Sequence, residues 1–303
     1  MDMNGPVLVG TDFSSSSKRA TDLAAALAAR LGRPLAVAQV WNTNALANAP
    51  FSGEIELAPV MAAAREGARK ALDEEVERVR TSGGEARPHL VEGVASRALA
   101  ELGRALDAEL VVLGRRGSAG LAHVLLGSVS ERVARIADRP VLVVPDGAEA
   151  APVPRRLLVG VDFSGAAREA VAAALRFTAA FGCAPPVLVH AYQDERAEWL
   201  ASWSETGRVG LPRPDGDDVA RWVERALPEA SDLELVSVAG AVEEQLVATA
   251  RDHEADWIAV GLQGRTALAT FLMGTTTRSV LELADRPVLV VPGRTAPDRE
   301  AID

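Results

Sequence analysis

The sequence of 303 residues contains one cysteine, Cys183, and four histidines. A single cysteine excludes an intrachain disulfide. No cysteine or histidine lies at metal-ligand spacing from Cys183, and the histidines are scattered, so no zinc site is indicated. We expect Cys183 to be a small, buried or half-buried residue.

Long hydrophobic runs and a basic excess are also missing. No apolar run reaches the roughly 18 residues that a membrane span needs, so no membrane partner is expected. The 32 Lys and Arg against 42 Asp and Glu give a formal charge of −10, which makes nucleic acid an unsuitable partner. The first residues, MDMNGPVLVG, lack the basic segment and apolar core of a signal peptide, and this predicts a cytoplasmic protein.

One motif occurs twice, as LGRRGSAGLAHVLLGSVS at 113–130 and VGLQGRTALATFLMGTTT at 260–277. Both copies keep the spacing G-x2-G-x9-G-[ST], while the residues between the glycines differ. Glycines after a strand permit close backbone approach to a ligand, and Gly-Ser or Gly-Thr opening a helix offers N–H groups to an anion. This combination is typical of a phosphate site. The alternative is that the glycines only form turns and that Ser or Thr only caps a helix.

The whole order of segments also repeats. RRLLVGVDFS at 155–164 matches GPVLVGTDFS at 5–14, and RPVLVVP occurs at 139–145 and at 286–292. Two domains of about 150 residues fit the length of the chain. We predict domains at 1–146 and 155–293, a linker at 147–154 and a C-terminal tail at 294–303.

Short apolar runs alternate with helical segments in each half, which predicts a parallel sheet covered on both faces. Each half is therefore expected to be a doubly wound α/β domain. Ligands of such sheets bind beyond the carboxyl ends of the strands where the strand order reverses. Asp12 and the loop from Gly114 would flank one crevice, and Asp162 and the loop from Gly261 would flank another.

With these motifs the chain resembles the universal stress protein family in its tandem two-domain form. The resemblance implies two parallel five-stranded sheets of order 3-2-1-4-5, with an adenine nucleotide alpha hydrolase-like fold, arranged as a pseudo-twofold pair. It also implies an ATP site between the first and fourth strands of each half. A magnesium ion that bridges the phosphates to Ser128 or Thr275 is compatible with such a site. The first site would use Asp12, Val40, Leu113, Gly114, Arg116, Gly117, Gly127, Ser128, Val129 and Ser130. The second site would use Asp162, Ala191, Val260, Gly261, Gly264, Gly274, Thr275, Thr276 and Thr277.

Four functions compete. The favoured one is an ATP-binding stress regulator without fast catalysis. A slow ATPase or phosphotransferase is the alternative, but the chain has no G-x4-G-K-[ST], no lysine near either glycine loop and no visible base. A dinucleotide oxidoreductase would need G-x-G-x-x-G after the first strand, where Asp-Phe-Ser stands instead. A scaffold with empty sites is disfavoured by the two intact loops.

Three further expectations concern assembly and the sites. The closing strands, 141–144 and 288–291, should pair with each other within the chain, since each would otherwise leave an exposed apolar edge; the resemblance is also compatible with a homodimer. The segments after each second strand, 42–59 and 193–217, are expected either to cover the sites or to pack on the protein's own surface. Arg115 and Arg116 either reach a polyphosphate or point to solvent. Leu262 and Gln263 replace them in the second loop, where Arg265 lies just outside and Thr276 adds a hydroxyl. Because charge should outweigh one hydroxyl, we expect the first site to bind ATP more tightly.

Overall fold

A computed structural model of the chain describes residues 4–41, 57–117, 126–147, 153–192, 221–222, 225, 233–263 and 273–293. Several predictions concern residues outside these ranges. They are Gly264, most of the linker, the C-terminal tail and both cover segments, except for residues 57–59, which belong to a helix.

The first half alternates strands and helices as predicted. Its strands are β1 (Val7–Gly10), β2 (Leu35–Trp41), β3 (Ala86–Glu92), β4 (Leu110–Gly114) and β5 (Val141–Val144). Its helices are α1 (Ser15–Leu31), α2 (Leu57–Thr81), α3 (Ala95–Ala105) and α4 (Ser128–Ile136).

The second half repeats this order. Its strands are β6 (Leu157–Gly160), β7 (Val187–Tyr192), β8 (Leu235–Ala239), β9 (Trp257–Gly261) and β10 (Val288–Val291). Its helices are α5 (Gly165–Phe181), α6 (Val242–Asp252) and α7 (Thr275–Leu283), and residues 221, 222 and 225, between β7 and β8, are also helical. Among the described residues no helix is long and apolar enough to cross a membrane.

Local sequence signals set the helix ends. The Ser14 side chain accepts a hydrogen bond from the Ser17 N–H and caps α1, and Gly32 ends that helix in the left-handed conformation with φ 63°. Ser164 and Gly182 do the same for α5. Helix α3 ends at Ala105, and Asp107 then takes a left-handed φ of 52°.

The strands form one ten-stranded sheet in the order β3-β2-β1-β4-β5-β10-β9-β6-β7-β8. All pairs within a half are parallel, and each half has the order 3-2-1-4-5. This confirms the predicted fold class. Burial explains the apolar strands, because helices cover both faces of the sheet: α1, α2 and α5 pack on one face, and α3, α4, α6 and α7 on the other.

The two halves join through their closing strands. β5 and β10 pair antiparallel, with Val141 opposite Val290, Leu142 opposite Leu289 and Val143 opposite Val288. All four residues of each strand are buried. The predicted intrachain pairing is confirmed, and the free edges of the sheet are now β3 and β8. Edge strand β3 carries Arg87 and Pro88, residue types that disfavour pairing with another strand.

Two arginines of the first half also bind the second half. Arg30 of α1 donates to the carbonyl oxygen of Phe181, at the end of α5. Arg115, just after β4, donates through Nη1 to the carbonyl oxygens of Glu282 and Ala284, 3.1 and 2.9 Å away, at the end of α7. A cation is favourable at a helix C-terminus, where carbonyl groups lack intrahelical partners. Burial lowers the pKa of the Arg115 guanidinium, but arginine remains charged at neutral pH.

The contacts are one-sided. In the second half, Ala180 stands at the position of Arg30 and Leu262 at the position of Arg115. Neither side chain can donate a hydrogen bond. The pair of domains therefore has twofold symmetry in its backbone but not in its polar contacts.

We predict that Arg115→Leu, which installs the residue of the second half, destabilises the chain by about 1.5 to 3 kcal/mol, because charged donors to buried carbonyls are lost. Urea unfolding measures this change. The control is Arg87→Gln, whose ion pair with Glu85 has side chains 68% and 66% exposed and should change stability by less than about 0.5 kcal/mol. Equal effects of the two substitutions would contradict the prediction.

Candidate functional site

The strand order reverses between β1 and β4 in the first half and between β6 and β9 in the second. Each reversal creates a crevice at the carboxyl ends of these strands. Asp12 follows β1 and Gly114 ends β4, so the two sequence motifs of the first half meet at this edge. Asp162 and Gly261 meet in the same way in the second half.

A strained turn presents each aspartate. Asp12 Oδ1 accepts a hydrogen bond from the Ser14 N–H at 3.1 Å, and Asp162 Oδ1 accepts one from the Ser164 N–H at 3.1 Å. The phenylalanine between the aspartate and the serine is left-handed in both halves, with a φ of 63° at Phe13 and 65° at Phe163. A left-handed conformation costs a non-glycine residue roughly 1 to 2 kcal/mol. Both halves retain this strain, which indicates that the turn has a use beyond stability.

The glycine loop approaches the aspartate directly. A β-carbon built on Gly117 would lie 2.7 Å from Asp12 Oδ2, closer than real β-carbons come. The structure thus brings together two residues that are 105 positions apart and that were both predicted for the first site. Its counterpart Gly264 lies outside the described residues.

The other glycines pack against the protein itself. A β-carbon on Gly114 would lie 2.8 Å from the backbone carbon of Ser16, and one on Gly261 would lie 2.7 Å from that of Ala166. These glycines let β4 and β9 pass close to the first turns of α1 and α5. The turn interpretation therefore accounts for part of the motif: Gly114 and Gly261 are required by packing, whatever the crevice binds.

Gly127 and Gly274 begin the helices of the motif. They have φ values of −72° and −60°, which any residue adopts. Gly127 is required for a different reason, since a β-carbon there would lie 2.7 Å from the carbonyl oxygen of Arg115. The Gly127 N–H donates to that same oxygen at 2.8 Å, and the Gly274 N–H donates to Leu262 O at 3.0 Å.

Helices α4 and α7 begin beside the ends of β4 and β9, because Gly127 and Gly274 bind the residues that follow these strands. The first N–H groups of a helix have no intrahelical acceptor, and the helix dipole favours an anion there. Ser128 and Thr275 are exposed, and Val129 is an apolar side chain that remains 38% exposed. An anion site at these helix ends stays a prediction.

The last hydroxyl of each motif is used inside the protein. Ser130 is 3% exposed, and its Oγ lies 3.0 Å from Arg115 O and 2.9 Å from Gly127 O. Thr277 is 5% exposed and donates to Gly261 O at 2.8 Å. Both hydroxyls tie the helix to the end of the preceding strand. A phosphate contact at these two positions stays a prediction, and the backbone N–H is the group best placed to make it.

The two arginines of the first loop point in different directions. The structure contradicts the prediction that Arg115 reaches a polyphosphate, because its guanidinium binds the end of α7 in the other half. Arg116 remains at the crevice, where its Nε lies 3.2 Å from Asp146 Oδ2. Asp146 also binds Arg19 of α1, with 2.9 Å between Arg19 Nη2 and Asp146 Oδ1.

Arg19 and Asp146 were missed by the sequence analysis, because neither belongs to a motif and only the fold places them beside Arg116. The second half has no such cluster: Glu169, Gln263 and Gly293 stand at the corresponding positions. The cluster of Arg19, Asp146 and Arg116 carries one net positive charge, whereas the corresponding positions of the second half carry one net negative charge.

The side chains predicted for the base end are largely buried. Leu113 and Val260 are 4% and 5% exposed and belong to the apolar core, so only their backbone borders the crevice. Val40 is half-buried and Ala191 is 9% exposed, at the ends of β2 and β7. The residues before them, Gln39 and His190, are polar and were not predicted as site residues.

No group of three metal-ligating side chains occurs in the part of the chain that the structure describes. Ser128 and Thr275 could each give one hydroxyl oxygen. A magnesium ion usually keeps several waters and binds through phosphates. The residues therefore fit magnesium only together with a bound polyphosphate.

A sequence model described as the universal stress protein family matches residues 3–145 and 154–292. The chain belongs to this family. Two tandem copies of the universal stress protein domain thus make up most of its length.

The curated relatives are universal stress proteins. One from Mycobacterium tuberculosis is 35% identical over 188 residues, which cover 61% of this chain and 61% of that protein. One from Mycolicibacterium smegmatis is 29% identical over 314 residues and covers 95% of this chain and 97% of its own. The alignment with the first of these relatives thus spans about three fifths of its length.

Solved structures share the tandem fold. A universal stress protein from Archaeoglobus fulgidus superposes with a TM-score of 0.64 at 21% identity, covering 94% of this chain and 98% of its own. A Pseudomonas aeruginosa protein described as functionally unknown gives 0.59 at 17% identity, covering 96% and 94%. These likenesses show the fold of a two-domain universal stress protein.

We predict that Gly114→Ala destabilises the protein by about 1 to 3 kcal/mol, because the added methyl group overlaps the Ser16 backbone. The matched control is Gly67→Ala on α2, where nothing lies within 4 Å and alanine should stabilise the helix by about 1 kcal/mol. Urea unfolding of the two variants should give changes of opposite sign. Two changes of the same sign would refute this account of Gly114.

Proposed function

We propose that each half binds one adenine nucleotide, ATP above all, and that the chain is a nucleotide-dependent regulator of the stress response without fast catalysis. The observation that carries the proposal is the meeting of Gly117, Asp12 and the N-terminus of α4 at one crevice of the first half. The second half repeats the aspartate turn and the helix N-terminus.

The phosphates would lie against the first turn of α4 or α7. Backbone N–H groups and the helix dipole bind an anion without a lysine. The exposed hydroxyl of Ser128 or Thr275 adds one donor or one magnesium ligand. Magnesium, when bound, would neutralise part of the phosphate charge.

The sugar and the base would lie toward β1 and β2, or β6 and β7. A carboxylate accepts hydrogen bonds only, so Asp12 and Asp162 suit a ribose hydroxyl or an amino group. The Asx turn holds each carboxylate by Oδ1 at the crevice. The Oδ2 atom of Asp12 is the one that faces Gly117.

Regulation is favoured over catalysis on the chemistry of the glycine loops. Phosphoryl transfer needs a group that orients the attacking oxygen and cations that clamp the transferred phosphoryl. Both glycine loops lack lysine. Arg115, a potential clamp in the first loop, is committed to the other half. Cytoplasmic location and homodimer formation stay predictions.

Replacing Gly117 tests the proposal. Gly117→Val would fill the space between the glycine loop and the Asp12 carboxylate, so we expect nucleotide binding to fall from two molecules per chain to one. Isothermal titration with ATP and magnesium measures the stoichiometry. The control variant is Gly67→Ala, which should still bind two nucleotides per chain, because nothing lies within 4 Å of the added methyl group. Gly127→Val is a poorer probe, because its side chain would meet the Arg115 backbone and disturb the loop itself. Two molecules bound to Gly117→Val, or none to the wild type, would overturn the proposal.

The charge difference between the crevices predicts unequal sites. The first site should bind ATP about tenfold more tightly, since a charge-assisted contact at a partly exposed site is worth roughly 1 to 2 kcal/mol. Arg116→Gln installs the residue of the second half. It should weaken ATP binding at the tighter site about threefold to tenfold and make that affinity less dependent on salt. The reciprocal change, Gln263→Arg, should strengthen ATP binding at the weaker site. Titrations that do not respond to either change would refute the role of Arg116.

A further inference from the structure

A buried histidine lies beside the second crevice. His190, on β7, is 7% exposed, and its Nδ1 lies 2.8 Å from the carbonyl oxygen of Val161. A carbonyl oxygen can only accept, so Nδ1 carries the proton. In the neutral ring this leaves Nε2 as a hydrogen-bond acceptor.

This acceptor is buried without a donor. Nε2 has no hydrogen-bond partner among the residues that the structure describes. Buried polar atoms in native proteins almost always have a partner, and one that lacks it is a candidate for a ligand contact. The ring is held by neighbours on several sides, including Phe163 at a centroid distance of 4.8 Å and Tyr192 at 6.2 Å.

The first half has the same feature with different chemistry. Gly10 pairs with Ala38 and Gly160 pairs with Val189, so Gln39 and His190 occupy corresponding positions one residue later. The Gln39 Oε1 atom is also buried without a hydrogen-bond partner among the described residues. An amide oxygen, like the Nε2 atom of this histidine tautomer, can only accept.

Both residues lie near the ends of the strands that the base of a nucleotide would reach. His190 contacts Val161 and Phe163, which flank Asp162 in the turn at the crevice. β6 separates β7 from β9, so the end of β7 lies two strand spacings, about 10 Å, from the glycine loop. With the phosphates at the N-terminus of α7, the nucleotide extends across β6 and its base reaches the end of β7.

We propose that Gln39 and His190 determine base specificity, each accepting a hydrogen bond from the exocyclic amino group of adenine. The inference rests on the proposed nucleotide binding and specifies which base it selects. Adenine presents an amino donor at its position 6, whereas guanine and hypoxanthine present a carbonyl oxygen there. An acceptor facing that oxygen leaves both unpaired, and a site built for a donor rejects such an analogue.

The experiment compares ATP with ITP, which has hypoxanthine in place of adenine. Gly117→Val provides a chain in which only the second site binds. We expect this chain to prefer ATP by at least about tenfold. Adding His190→Leu, which puts an apolar side chain in the same place and removes the acceptor, should reduce the preference below about threefold. Adding His190→Gln, which installs the residue of the first half, should preserve it.

A second variant keeps the inference testable if His190→Leu does not fold. Gln39 is only half-buried, so Gln39→Leu in the otherwise natural chain is a milder change and should reduce the ATP preference of the tighter site in the same way. If ATP binds and the ATP-to-ITP ratio is unchanged in both leucine variants, the inference is overturned while the proposed function stands. If neither nucleotide binds the wild type, both are overturned.

Discussion

The pairing of β5 with β10 is the contact on which the arrangement of the whole molecule depends. Three residues of each strand face each other, and all of them are buried valine or leucine. The pairing satisfies the backbone groups of two apolar edges that would otherwise attract other chains. It also makes one core on each face of the sheet that runs through both halves, so the domains share a sheet and are not merely tethered.

Because that pairing is antiparallel, the carboxyl ends of the two sets of parallel strands point in opposite directions. The two crevices therefore open on opposite sides of the molecule, each at the carboxyl ends of its own set of strands. The nine-residue helix α7 is about 13.5 Å long and runs back along the sheet from the second crevice. Its C-terminus ends on Arg115, a residue of the first glycine loop.

Much of the fold was predictable from the sequence, because its determinants are local. Buried strands read as apolar runs, Ser14 and Gly32 act on their own helix, and two identical VLVV segments indicated a shared closing edge. The site was less predictable, because side-chain direction depends on contacts across the chain. Two adjacent arginines read alike in the sequence, yet Arg115 binds the other half and Arg116 stays at the crevice. Ser130 reads as a ligand and is bonded inward, while His190 read as a scattered histidine and has a buried acceptor without a partner.

The one-sided arginine contacts make the order of the two domains matter. In a dimer of two first halves, Arg30 and Arg115 would each occur twice, and both helix ends would have their donors. In this chain the first half provides both donors and the second half provides only acceptors. Two copies of the second half would have helix ends facing alanine and leucine, which cannot donate a hydrogen bond from their side chains. The duplicated domains are therefore no longer interchangeable. The first half can provide the arginine donors to a copy of either half, whereas the second half receives them only from a first half.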